Sequence, residues 1–196
     1  SGISLQGASQ TCHVFSCSFT GTGIAIEATD GLIVGGNTVI GGTGSTYTTG
    51  IRLSGSPDHV RIIGLNSTGC TTHIAFQSAG NLINQILLSD LYLFGGTTGI
   101  DFSTVTAAGA VDNIVRGVTA LGMTQAFLWS TSDRFFQCNI RDVYTDAATA
   151  VSTNTPPPGV TIDSLRPRIQ AGLAATAAVF PPQGPKPAGW SDREWR

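Results

Sequence analysis

The chain has 196 residues, a formal net charge of -2, 41% hydrophobic and only 11% charged residues, and 25 glycines. Charge at less than half the usual share of about 25% excludes a helical bundle built from Ala, Glu, Lys and Leu. A slightly acidic chain also argues against nucleic acid as the main partner and against an electrostatic membrane anchor, and no stretch nears the roughly 20 apolar residues of a spanning helix.

The chain opens strand-like at Ser1-Gly2-Ile3-Ser4-Leu5, without an initiator Met or a secretory pattern. We read it as part of a longer polypeptide or as a processed product. From there a unit of about 25 residues recurs. Each unit begins with an apolar-x-apolar triplet: Ile24-Ala25-Ile26, Ile51-Arg52-Leu53, Ile74-Ala75-Phe76 and Ile100-Asp101-Phe102. Weaker copies follow at Ala126-Phe127-Leu128 and at Val151. A second apolar stretch sits mid-unit, as in Leu32-Ile33-Val34, Val60 to Ile63, Ile86-Leu87-Leu88 and Ile114-Val115. Gly/Thr runs such as Gly69-Cys70-Thr71-Thr72 and Gly95 to Gly99 separate the units. Alternating apolar residues make strands, and Gly/Thr/Ser clusters make the turns between them.

Leucine-rich repeats need a Leu/Asn framework that is missing here, and propeller blades need longer units. The expected fold is all-β: a single-stranded parallel β-helix of six to seven coils over residues 1–165. Residues 166–196 change composition: an Ala-rich segment suited to capping the open end, then a Pro-rich tail carrying Trp190 and Trp195. The four cysteines, Cys12, Cys17, Cys70 and Cys138, form no Cys-x-x-Cys pair. They read as buried thiols rather than metal ligands or a disulfide framework, and no metal or cofactor is expected.

Gly-Ile-x-Ile coil starts and the mid-coil run Gly36-Asn37-Thr38-Val39-Ile40 resemble the pectate-lyase-type right-handed β-helices. The Thr/Gly/Ser-rich, charge-poor coils are similar to bacteriophage tailspike and fibre domains. That resemblance covers residues 3 to about 165. It implies a homotrimer in the virion, contacting other virion proteins and bacterial surface polysaccharide, which some such proteins bind and others cleave. A secreted polysaccharide lyase is the more distant alternative.

Glycan hydrolysis calls for two carboxylates about 5 to 9.5 Å apart, and matching positions on neighbouring coils lie about 5 Å apart. Counting from each coil start aligns Asp90, Arg116 and Asp142, with Arg141 adjacent. Asp90 and Asp142 are thus the candidate catalytic pair, and Arg116 and Arg141 the candidates to orient a sugar acid. The competing reading is a charge-balanced surface ladder of little energetic weight. A cation between carboxylates lowers their pKa, whereas a general acid needs it raised. Arg52, Ala75 and Asp101 form a second expected column, with a shallow dent over Ala75. His59, in Ser56-Pro57-Asp58-His59, reads as a turn residue, and neither it nor His13 or His73 stands in a nucleophile motif. Sugar rings stack on exposed aromatics, for which Phe127, Trp129 and Tyr144 are the principal candidates, with Tyr47 and Tyr92 beside them. The same residues would also suit a subunit interface.

Overall fold

A computed structural model describes residues 2–5, 12–29, 32–36, 38–41, 47–55, 59–77, 84–105, 110–129, 136–147 and 159–167. The first strands are β1 (Ile3–Leu5), β2 (Cys12–Phe15), β3 (Ser18–Gly21), β4 (Gly23–Ala28), β5 (Leu32–Gly35) and β6 (Thr38–Gly41). Next come β7 (Tyr47–Ser54), β8 (Arg61–Ile63), β9 (Asn66–Thr68), β10 (Cys70–Gln77) and β11 (Leu87–Phe94). The last are β12 (Thr98–Phe102), β13 (Ala110–Leu121), β14 (Gln125–Trp129), β15 (Phe136–Thr145) and β16 (Val160–Pro167). They wind as an all-β parallel solenoid of about four turns. One sheet runs β1-β4-β7-β10-β12-β14, and the other β16-β15-β13-β11-β8-β5-β2. The capping segment and Pro-rich tail expected at 166–196 lie, from residue 168 onward, outside the described residues, as does the copy at Val151.

Every coil stacks like residues on like. Ile26, Ile51, Ile74, Ile100 and Phe127 form one inward ladder, each 0% exposed. Facing it are Val14, Ile62, Leu88, Val115 and Ile140, also buried. Between them Phe76, Phe102 and Trp129 stack with ring centroids 4.8 and 5.2 Å apart. β-branched and aromatic side chains suit this arrangement because each packs against its counterpart one rung away.

The ladder corrects two alignments expected from the sequence. Ile26, not Ile24, partners Ile51, a shift of two residues that keeps the same face, and a bulge leaves Thr48 between the pairs Gly23–Tyr47 and Ile24–Thr49. Phe127, not Ala126, partners Ile100. Side chains in a strand alternate faces, so a one-residue slip exchanges inside for outside.

The bends follow a rule of their own. Ser16, Gly36, Gly64, Asp90, Gly117 and Asp142 occupy one corner of successive coils, all with φ between 52° and 65°. Each immediately follows a residue of one register column: Phe15, Gly35, Ile63, Ser89, Arg116 and Arg141. The left-handed region is open to Gly and tolerable for Asp, whose short polar side chain bonds locally. Here Ser89 Oγ donates to Asp90 Oδ2 at 3.0 Å. A second corner is sharper: Gly96 has φ +96°, and a Cβ there would lie 1.8 Å from the Cys70 carbonyl oxygen. Each first strand is entered through a threonine: Thr48, Thr71, Thr97 and Thr124 are all exposed, and backbone bonds run Thr97 N to Thr71 O and Thr124 N to Thr97 O.

One polar cluster lies inside. His73 is 0% exposed, with Nε2 2.6 Å from Gly95 O and Nδ1 2.7 Å from Ser67 Oγ. The carbonyl can only accept, so Nε2 carries the proton and Nδ1 accepts from the Ser67 hydroxyl. Cys70 Sγ, 3.4 Å from Ser67 Oγ, then donates to the serine. Burial lowers the His73 pKa, with the Gly95 bond opposing in part. Cys70 and Cys138 are buried thiols, and burial pushes Cys138 up to about 12. Cys17 is half-buried and its Sγ donates to Phe15 O at 3.2 Å.

Candidate functional site

In the central coils, strands β11, β13 and β15 each run through the left-handed corner without a break. Each therefore presents two outward rows, one before and one after the bend. Before the bend the rows are Leu87, Ile114 and Arg116, and Asn139 and Arg141, with Ser89 in register with the arginines but buried. After it they are Tyr92 and Phe94, Thr119 and Leu121, and Tyr144.

The expected Asp90–Arg116–Asp142 ladder does not form. Arg116 pairs with Ser89 below and Arg141 above, and the position between the two aspartates is Gly117. The corner lies one residue further from the coil start after Ile100 than after Ile74, and that unequal length produced the error. Asp90 and Asp142 do share a column two rungs apart, roughly 10 Å by the coil spacing. Asp90 Oδ1 leans over Gly117, where an added Cβ would meet it at 3.1 Å. Their common property is φ 55°, which gives a conformational reason for Asp at both places. Accordingly, Asp90→Gly and Asp142→Gly should each keep the unfolding free energy within about 1 kcal/mol of wild type, whereas Asp90→Val should lower it by about 1–3 kcal/mol. Urea denaturation midpoints read the difference.

Two of the expected sugar-facing aromatics point inward. Phe127 and Trp129 are both 0% exposed and belong to the core stack, with ring centroids 5.8 Å apart. Phe127 took the inward place because its coil starts one residue later than the triplet pattern suggests. Tyr47 is 4% exposed and packs at the Gly21 corner. Tyr144 does face outward, 39% exposed, and Tyr92, 44% exposed, stands in the same column with Thr119 between them. Phe94, 45% exposed, lies two residues from Tyr92 on the same face. Asn66 and Thr68 occupy the rung below. The result is a row of exposed aromatic faces interleaved with neutral hydrogen-bonding side chains, held on a sheet. Phe94 and Asn66 escaped the sequence reading. The signal was available: both follow the corner column by an even number of residues.

Arg52, Ala75 and Asp101 are in register as expected. No open dent results, since Ala75 is 3% exposed. Arg52 Nε donates to Glu27 Oε1 at 3.0 Å, and Asp101 Oδ1 accepts from Ser103 N at 2.8 Å. Both charges are thereby engaged within the fold. His59 is an exposed corner residue with φ 56°, in keeping with a turn. His13 is exposed and meets the Phe15 ring edge-on at 5.8 Å. Among the described residues no three His, Cys, Asp or Glu side chains gather as a metal site, and no helix is long and apolar enough to cross a membrane.

No protein-family model matches the chain, and neither a curated protein nor a solved structure matches it.

Proposed function

We propose that this chain is an adhesive module of a virion tail spike or fibre, working as a trimer and holding bacterial surface polysaccharide on the outer face of its solenoid. In this reading the coils are right-handed, number six to seven, and are closed by the segment at 166–196. The supporting observation is the column Tyr92–Thr119–Tyr144 with Phe94 alongside. Exposed aromatic groups that gather on one face of a monomer mark an interaction surface. Flat rings offer a sugar's C–H face an apolar platform, and the neighbouring Thr and Asn side chains meet its hydroxyls. A stacked β-solenoid suits the mechanical part of the role, because each coil is held by its neighbours over its whole length.

Two measurements test this reading. Light scattering on a sizing column should give a mass near three chains. A bacterial glycan array should show retention by wild type that falls several-fold to about tenfold in Tyr92→Ala and Tyr144→Ala, the range expected for one lost stacking contact. A monomer that retains no glycan would overturn the proposal. Release of reducing ends from a bound polysaccharide, abolished by Asp90→Asn or Asp142→Asn, would instead make the chain a depolymerase.

A further inference from the structure

Ahead of the bend, Arg116 and Arg141 occupy adjacent rungs in direct register, and both are exposed. Like charges directly opposite across a strand pair destabilise it, and in a chain with only 11% charged residues such a pairing is conspicuous. The nearest register partners are Ser89 below Arg116 and Asp163 above Arg141. Asp90 and Asp142 stand at the corner. Even so, among the described residues the ion pair within 4 Å is Arg52 with Glu27, and neither Arg116 nor Arg141 makes one. Ile114 and Asn139 flank the pair on the same outward face, and Asn139 Nδ2 is turned to Thr161 Oγ1 at 3.0 Å.

We infer that Arg116 and Arg141 together form an oxyanion clamp, and that the glycan held by this module carries carboxylate groups, as uronic acids do. This rests on the glycan-binding reading above. Two arginines whose backbones lie one rung apart, roughly 4.8 Å, can turn both guanidinium forks onto a single carboxylate. Arg does this better than Lys because its planar fork matches the two carboxylate oxygens. A shared anion also removes the repulsion between the two arginines, so binding is strengthened by relief of a strain the free protein carries. Phosphate would present the same oxyanion chemistry, which the test separates.

The probes are a uronate oligosaccharide, its methyl ester and inorganic phosphate. By titration calorimetry at low salt, the free acid should bind at least about tenfold more tightly than the ester, the effect of one charge-assisted hydrogen bond or more. Arg116→Gln/Arg141→Gln should erase most of that difference by weakening the acid far more than the ester, and, with the repulsion gone, should not lower the melting temperature. Arg61→Gln, on a different outward column, should leave it intact. Millimolar phosphate should compete weakly if the carboxylate is the preferred anion; competition at micromolar phosphate would assign the clamp to phosphate and overturn the uronate assignment. Equal affinity for acid and ester, or a preference that survives in the double variant, overturns the inference. Binding of neutral glycans alone would remove the acidic ligand but keep the glycan reading. Retention of no glycan by any probe removes both.

Discussion

Replacing Trp129 by alanine is expected to lower the unfolding free energy by about 3–5 kcal/mol, the range for deleting a large buried aromatic side chain. Trp129 is fully buried. Its ring lies 5.2 Å from Phe102 at an interplanar angle of 4°, and 5.8 Å from Phe127. Phe102 in turn stacks on Phe76 at 4.8 Å. The ring thus belongs to an internal aromatic column that ties β10, β12 and β14 together. Loss on this scale is a large fraction of the 5–15 kcal/mol that holds an ordinary domain folded. It should also be local at first. A solenoid's stability is close to a sum of coil and neighbour terms, and β14 is the last described strand of its sheet. Hydrogen exchange in Trp129→Ala should therefore speed up in Gln125–Trp129 before it does in Tyr47–Ser54. Trp129→Phe keeps a ring in the column and should lose less. Uniform acceleration over all coils would show that the stack does not act as a local tie.

The same residue shows where sequence reasoning reaches and where it stops. Strand content, parallel stacking and the coil period were legible, because apolar-x-apolar triplets between Gly/Thr runs permit little else. Registration to a single residue was not. Coil lengths vary by a few residues, and a pattern of period two turns a one-residue misplacement into the opposite face. Phe127 and Trp129 were consequently read as sugar platforms when they are core. Tyr144 was read as outward and is outward, because its neighbours Val143 and Thr145 are the buried positions of β15.

A better ruler was present in the chain. Ser16, Gly36, Gly64, Asp90, Gly117 and Asp142 share a left-handed corner, and Ser, Gly and Asp are residues that such corners tolerate. Aligning coils on that column, rather than on the apolar triplets, separates Arg116 from the two aspartates. It also brings Arg116 beside Arg141. The acidic residues that looked like catalysts acquire a backbone role, and the arginines that looked like their companions become a pair of their own. The buried cluster around His73 had no sequence signal at all. Ser67 lies six residues from His73, but Gly95 meets the ring only once the next coil is stacked on it.

That cluster should make the fold sensitive to mild acid. Burial lowers the His73 pKa, so the folded ring is neutral near pH 7, with Nε2 donating to Gly95 O and Nδ1 accepting from Ser67. Protonation would bury a charge and force the Ser67 hydroxyl to turn from donor to acceptor at Nδ1, while the Cys70 thiol on the same hydroxyl, pushed up in pKa by burial, offers no compensating negative charge. The folded pKa is lowered by burial, so below the ordinary value near 6.5 the unfolded chain binds a proton that the folded chain does not. Stability contributed by neutral His73 is complete above about pH 6.5 and falls as pH drops below it, by up to about 1.4 kcal/mol per pH unit. His73→Gln offers one acceptor and one donor but does not titrate. It should be less stable than wild type at pH 7.5, because the amide cannot match both imidazole positions, and it should lose less stability between pH 6.5 and 5. Thermal melts of the two proteins across that range decide the matter. Parallel pH profiles would mean that the acid response arises elsewhere and that His73 serves only as a buried spacer between coils.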